Sequence, residues 1–136
     1  MEADSCKKAK ILIIDDEKTM CASLKSFLER TGKYEIYSTT SPIEGINLAK
    51  KKQPDLILLD IIMAEMDGSE VAAYLSDDPS TKDILILFVS VLVNREEVEK
   101  NKGLVGGRPF ISKPLDIKKL MARIESLLQV PPIAAS

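Results

Sequence analysis

Asp60 stands directly after Leu56, Ile57, Leu58 and Leu59, an unbroken run of branched apolar residues. Such a run reads as a strand buried on both faces, and open α/β sheets place their ligands at the carboxyl ends of their strands. A second run of this kind, Ile11 to Ile14, ends in Asp15-Asp16. One acid after a strand usually does no more than begin a turn. Two buried strands that both end in acid point to a shared crevice, with Asp60 as its reactive centre. Three carboxylates brought together repel one another, and a divalent oxygen-seeking cation offsets that repulsion. Mg²⁺ suits the set best, because it accepts a few carboxylates and retains waters and phosphate oxygens. Ser90 follows the apolar run Ile84 to Val89, and Lys113 follows Phe110-Ile111-Ser112. Taken singly, these two are a turn serine and a solvated lysine. Together they add a hydroxyl donor and a fixed cation opposite the acids. A phosphoryl group transferred onto a carboxylate needs this set.

The elements that must position these residues alternate along the chain. Strands are expected at Lys10 to Ile14, Tyr34 to Ser38, Leu56 to Leu59, Ile84 to Val89 and, more weakly, Phe110 to Ser112. Glu17 to Thr31 carries Met20, Cys21, Leu24, Phe27 and Leu28 on one helical face, and Gly32 ends it. Ser41-Pro42-Ile43-Glu44 is a capping box with proline at the first helical position. The helix it opens is expected to bury Ile43, Ile46, Leu48 and Ala49. Asp67 to Glu70 opens a third helix, Asn94 with Glu97 caps a fourth ended by Gly103, and Leu115 onward forms the fifth, stopped by Val130-Pro131-Pro132. Five strands alternating with five helices make an α/β fold, a single doubly wound parallel sheet. The central strands are the fully apolar ones, the first, third and fourth. Right-handed crossovers then favour the order 2-1-3-4-5, flavodoxin-like, with Asp15, Asp16 and Asp60 at its switch point. The expected organisation is a tail over 1–9, one domain over 10–130, and a tail or linker stub over 131–136.

Composition excludes several classes. The 136 residues carry 19 basic and 21 acidic side chains with few aromatics, and no basic cluster supports direct nucleic-acid binding. The longest apolar stretch, Ile84 to Val93, is too short to span a bilayer. Cys6 and Cys21 make neither a disulfide framework nor a metal site, which favours a reducing cytoplasm. There is no histidine, so any imidazole base, ligand or phosphohistidine belongs to a partner.

With these residues in place, the chain resembles the receiver domains of two-component response regulators over about Lys10 to Val130. The motifs that carry the likeness are Ile14-Asp15-Asp16, Asp60 with Met63, Met66, Asp67 and Gly68 behind it, Ser90, and Lys113-Pro114. The resemblance implies that Asp60 accepts a phosphoryl group from a phosphohistidine on a sensor histidine kinase or phosphotransfer protein. It implies a Mg²⁺ site of Asp15, Asp16, Asp60 and the backbone carbonyl of Ile62, with Ser90 and Lys113 contacting phosphoryl oxygens. It also implies a cis Lys113-Pro114 bond and a phosphorylation-driven switch in which Ser90 moves inward and Phe110 follows. The surface so altered comprises the fourth helix, fifth strand and fifth helix, which binds a downstream protein or output domain. Such a domain is a signalling module rather than an enzyme.

Several positions depart from the family pattern. Ala64 replaces a usual proline, Val91 stands where Ala or Gly is common, and Gly103 to Pro109 lacks the usual Gly-Ala-Asp-like run. Val91 crowding the phosphoryl site would slow phosphorylation, and apolar Ile62 would limit hydrolytic water and lengthen the life of the phospho-form. Two other classes compete: a pseudo-receiver, an interaction module that is never phosphorylated, and an aspartyl-phosphate phosphohydrolase of the haloacid-dehalogenase kind. The hydrolase needs an Asp two residues beyond its nucleophile, where this chain has Ile62 after Asp60 and Glu17 after Asp15.

Overall fold

A computed structural model of the chain describes residues 8–61, 63, 65–90, 104, 105, 108–112 and 115–129. Their elements run β1 (Ala9–Ile14), α1 (Lys18–Arg30), β2 (Tyr34–Thr39), α2 (Pro42–Lys52), β3 (Leu56–Leu59), α3 (Gly68–Asp77), β4 (Leu85–Ser90), β5 (Leu104–Val105), β6 (Arg108–Ser112) and α4 (Ile117–Gln129). The strands lie in the order β2-β1-β3-β4-β6-β5. The first five of these are parallel, which is the expected five-stranded order.

The continuous apolar runs follow from burial on both sides. Side chains alternate across a strand, so Ile11 and Ile13 enter one core while Leu12 and Ile14 enter the other. The first core joins Leu56, Leu58 and Leu87 to Leu24 and Leu28 of α1 and to Leu120 and Ile124 of α4. The second joins Ile57, Leu59, Ile86 and Phe88 to Ala49 of α2 and to Val71, Ala72 and Leu75 of α3. A one-residue slip of any central strand would therefore exchange the two sets against differently shaped helix faces.

Three local readings are amended. The fifth expected strand is not outermost, because β5 pairs antiparallel with β6, Leu104 opposite Pro109 and Val105 opposite Arg108. Gly106-Gly107 separates the two, a pair that two-residue hairpins favour. Ile43 is 58% exposed rather than buried. It lies two residues from buried Gly45, about 200° round the helix, so close packing at Gly45 turns it outward. The capping box at α2 is also altered. Glu44 N–H donates to Ser41 Oγ at 3.2 Å, but Ser41 N–H is taken by Thr39 Oγ1 at 3.1 Å. The Glu44 carboxylate instead accepts the Thr39 hydroxyl. At the other end of α1, Gly32 adopts φ 74° and its N–H reaches Glu29 O, ending the helix as expected. The fourth expected helix, around 94–103, falls outside the described residues. Among the described residues no helix is long and apolar enough to cross a membrane.

Gly45 is where α2 meets β1 most closely. A Cβ added there would lie 2.5 Å from Ile14 Cδ1 and 2.8 Å from Ile14 Cγ1. Replacing Gly45 by Ala gains about 1 kcal/mol of helix propensity but overpacks a full core by about 1–3 kcal/mol. Gly45→Ala is therefore expected to destabilise by about 1 kcal/mol net. Ile14→Val, which removes Cδ1, is expected to cost less stability in Gly45→Ala than in the wild type, as denaturant titration of the double-mutant cycle would show.

Candidate functional site

The site is set by the register of two neighbouring strands. Ile14 lies opposite Leu59 in the β1–β3 ladder, and Asp60 N–H donates to Ile14 O at 3.0 Å. The residues that follow these paired positions, Asp15 and Asp60, must then emerge side by side. One carboxylate oxygen from each of Asp15, Asp16 and Asp60 lies within 4.8 Å of the other two. Asp15 and Asp60 are only 3% and 6% exposed, whereas Asp16 is open to solvent. Two buried carboxylates and one exposed carboxylate at this separation make a hard-oxygen donor set that one small divalent cation can bridge. The donor set therefore fits Mg²⁺.

Each acid is held by its surroundings. Asp15 N–H extends the β1–β2 ladder by donating to Thr39 O at 3.2 Å, and Asp15 Oδ1 accepts Glu17 N–H at 2.9 Å. Asp60 is braced from below by α3. Gly68 N–H donates to Ile61 O at 2.7 Å, and a Cβ on Gly68 would fall 2.3 Å from Asp60 O and 2.7 Å from Ile61 Cα. The Glu70 carboxylate in turn accepts Asp67 N–H at 3.1 Å, fixing the first turn of α3.

On the other side of the sheet switch point, β4 and β6 end level with each other, Ser90 opposite Ser112 and Phe88 opposite Phe110. Phe110 is 2% exposed and packs in the same core as Leu59 and Met63. Lys113, Pro114, Ile62, Ala64 and Val91 fall outside the described residues, as does the side chain of Ser90. The structure thus brings together Asp15, Asp16 and Asp60. It also reveals supports that the sequence reading passed over, namely Thr39, Glu44 and Cys21. Their signal was faint: a threonine ending an edge strand, a glutamate assigned to a capping box, and a cysteine on an apolar stripe.

A family model described as the response regulator receiver domain matches residues 11–125. The chain belongs to that family. The polar-differentiation response regulator DivK of Brucella ovis is 31% identical over 119 residues, which is 87% of this chain and 94% of DivK. The alkaline phosphatase synthesis transcriptional regulatory protein PhoP of Bacillus subtilis is 33% identical over 127 residues. That match takes in 93% of this chain but 51% of PhoP, so the chain spans about half the length of that relative. The non-phosphorylated HemR receiver domain of Leptospira biflexa superposes with a TM-score of 0.76 at 27% identity, covering 91% of this chain and 97% of that one. The chemotaxis protein CheY4 of Vibrio cholerae gives 0.77 at 24% identity, covering 90% and 100%, a likeness of fold. The chain is thus a receiver domain of the two-component response-regulator kind, a family of signalling domains.

The brace beneath Asp60 is testable. The atoms that a Cβ on Gly68 would meet are backbone and cannot swing aside. Gly68→Ala is therefore expected to cost about 2 kcal/mol or more, while Ser69→Ala on the exposed neighbour stays within about 0.5 kcal/mol. Chemical denaturation of the two variants checks this.

Proposed function

We propose that this receiver domain takes a phosphoryl group onto Asp60 from a phosphohistidine on a sensor histidine kinase or His phosphotransfer protein. A carboxylate oxygen of Asp60 attacks phosphorus and the phosphorus–nitrogen bond breaks. The donor ring, protonated at its other nitrogen, leaves as neutral imidazole. The observation that carries this reading is the convergence of Asp15, Asp16 and Asp60 at the ends of β1 and β3. Asp15, Asp16, Asp60 and the carbonyl of Ile62 would hold Mg²⁺. When bound, the cation supplies positive charge for the phosphoryl oxygens. Burial of Asp60 shields its nucleophilic oxygen from bulk water, and the hydrogen bond from its N–H to Ile14 O orients it beside Asp15. Lys113 and Ser90, following β6 and ending β4, are assigned to the phosphoryl oxygens.

The output follows from the same assignment. Phe110, buried beside Phe88 at the level of the site, is the ring whose packing would change with Ser90. The surface altered is that of the segment around 94–103, strand β6 and helix α4, where a downstream protein or output domain would bind. The proposed setting is the cytoplasm, where kinase and phosphotransfer domains present their histidines. With no histidine in the chain, the donor imidazole comes from the partner.

Intact-mass spectrometry after incubation with Mg²⁺ and acetyl phosphate tests the assignment. One phosphoryl group is expected on the wild type, none on Asp60→Asn, and none on the wild type with excess chelator. An equal adduct on Asp60→Asn would remove Asp60 from the reaction. A wild type that stays unmodified with acetyl phosphate, beryllofluoride and a phosphodonor protein alike would favour a module that works unphosphorylated.

A further inference from the structure

Cys21 lies on the buried stripe of α1 and is covered by protein. A small buried cysteine there is ordinarily a packing residue. Its sulfur, however, is aimed at main chain. Cys21 Sγ lies 3.1 Å from Asp15 O and 3.6 Å from Thr39 O. These two carbonyls sit where the β1–β2 ladder runs out, since Ile14 and Thr39 are its last register pair. The thiol therefore ties the first turn of α1 to the end of β1, with the end of β2 within its reach.

We propose that Cys21 is a positioning residue for the acidic site, acting through the main chain of Asp15. This role rests on the reading of Asp15 as a ligand of Mg²⁺. The residues form a closed ring of contacts. Asp15 Oδ1 accepts Glu17 N–H at 2.9 Å, Glu17 O accepts Cys21 N–H at 3.1 Å, and Cys21 Sγ returns to Asp15 O. The carboxylate and the carbonyl of one residue are thus held by the same short segment, so the direction in which Asp15 points depends on where α1 begins. Thr39 closes the far side, because its carbonyl accepts Asp15 N–H and lies within reach of the thiol. Its own side chain is fixed between Ser41 N–H and the Glu44 carboxylate. Without the thiol, Asp15 O loses its nearer buried S–H donor, and the Asp15 main chain is freer to move away from Asp60.

The test uses the full chain and two readouts, calorimetric titration with Mg²⁺ and amide hydrogen exchange at Asp15 in the metal-free protein. Cys21→Ala is expected to weaken Mg²⁺ binding by about three- to tenfold, the range spanned by one lost hydrogen bond, and to speed exchange at Asp15. Cys21→Ser keeps a donor and is expected to stay within about twofold of the wild type in affinity. Leu24→Ala loosens the same helix without touching either carbonyl. It is expected to lower Tm at least as much yet leave Mg²⁺ affinity within about twofold. Wild-type affinity in Cys21→Ala, or an equal loss in Leu24→Ala, overturns the positioning role while the metal site stands. A wild type that takes up no Mg²⁺ overturns the site reading and this role with it. Should Cys21→Ala fail to fold, Cys21→Val decides, filling the space without a donor: a loss of about three- to tenfold supports the role, and wild-type affinity overturns it.

Discussion

The register between β1 and β3 is the constraint on which the remaining structure depends. Both strands are buried on both faces, so neither can slide without exchanging its two side-chain sets between unlike cores. With Ile14 fixed opposite Leu59, the acids that follow have no choice but to meet. Their mutual repulsion is a cost that the apolar runs impose on the strand ends, because carboxylates shielded from water are unfavourable without a compensating cation or donors. The core thus places charge together that would otherwise separate, an arrangement that a bound cation would offset.

The rest of the site follows from how that point is buttressed. β1 is gripped from three directions at its carboxyl end. Gly45 lets α2 press on Ile14, Thr39 continues the ladder to Asp15, and Cys21 reaches back from α1. β3 is held at the same end by the Asp60 N–H bond to Ile14 O and by Gly68 beneath Asp60.

Much of this was legible in the residues alone. Unbroken apolar runs at Ile11, Leu56 and Ile84 announce central parallel strands, and the polar mixture of Tyr34 to Ser38 announces an edge, because burial on two faces leaves no place for alternation. The acids after those runs declare the crevice by position. What escaped the reading depends on distances between elements. Ile43 looks like a core residue until Gly45 is seen to set the face of α2. Glu44 looks like half of a capping box until Thr39 presents a nearer hydroxyl. Leu104-Val105 is too short a run to announce a strand, and it pairs only because β6 lies alongside. Cys21 fits an apolar stripe equally well whether its sulfur meets carbon or a carbonyl. Periodicity reports which face a residue occupies and is silent on what it touches there.

The absent side chain at Gly68 has a mechanical meaning. Because backbone meets backbone there, with Gly68 N–H bonded to Ile61 O and no gap in which a Cβ could stand, the peptide after Asp60 and the first turn of α3 travel as one body. A shift of the Asp60 main chain would therefore press directly on the first turn of α3. That helix packs through Val71, Ala72 and Leu75 in the same core as Phe88 and Phe110. The acidic site and the α3 face of the sheet thus meet through a single glycine.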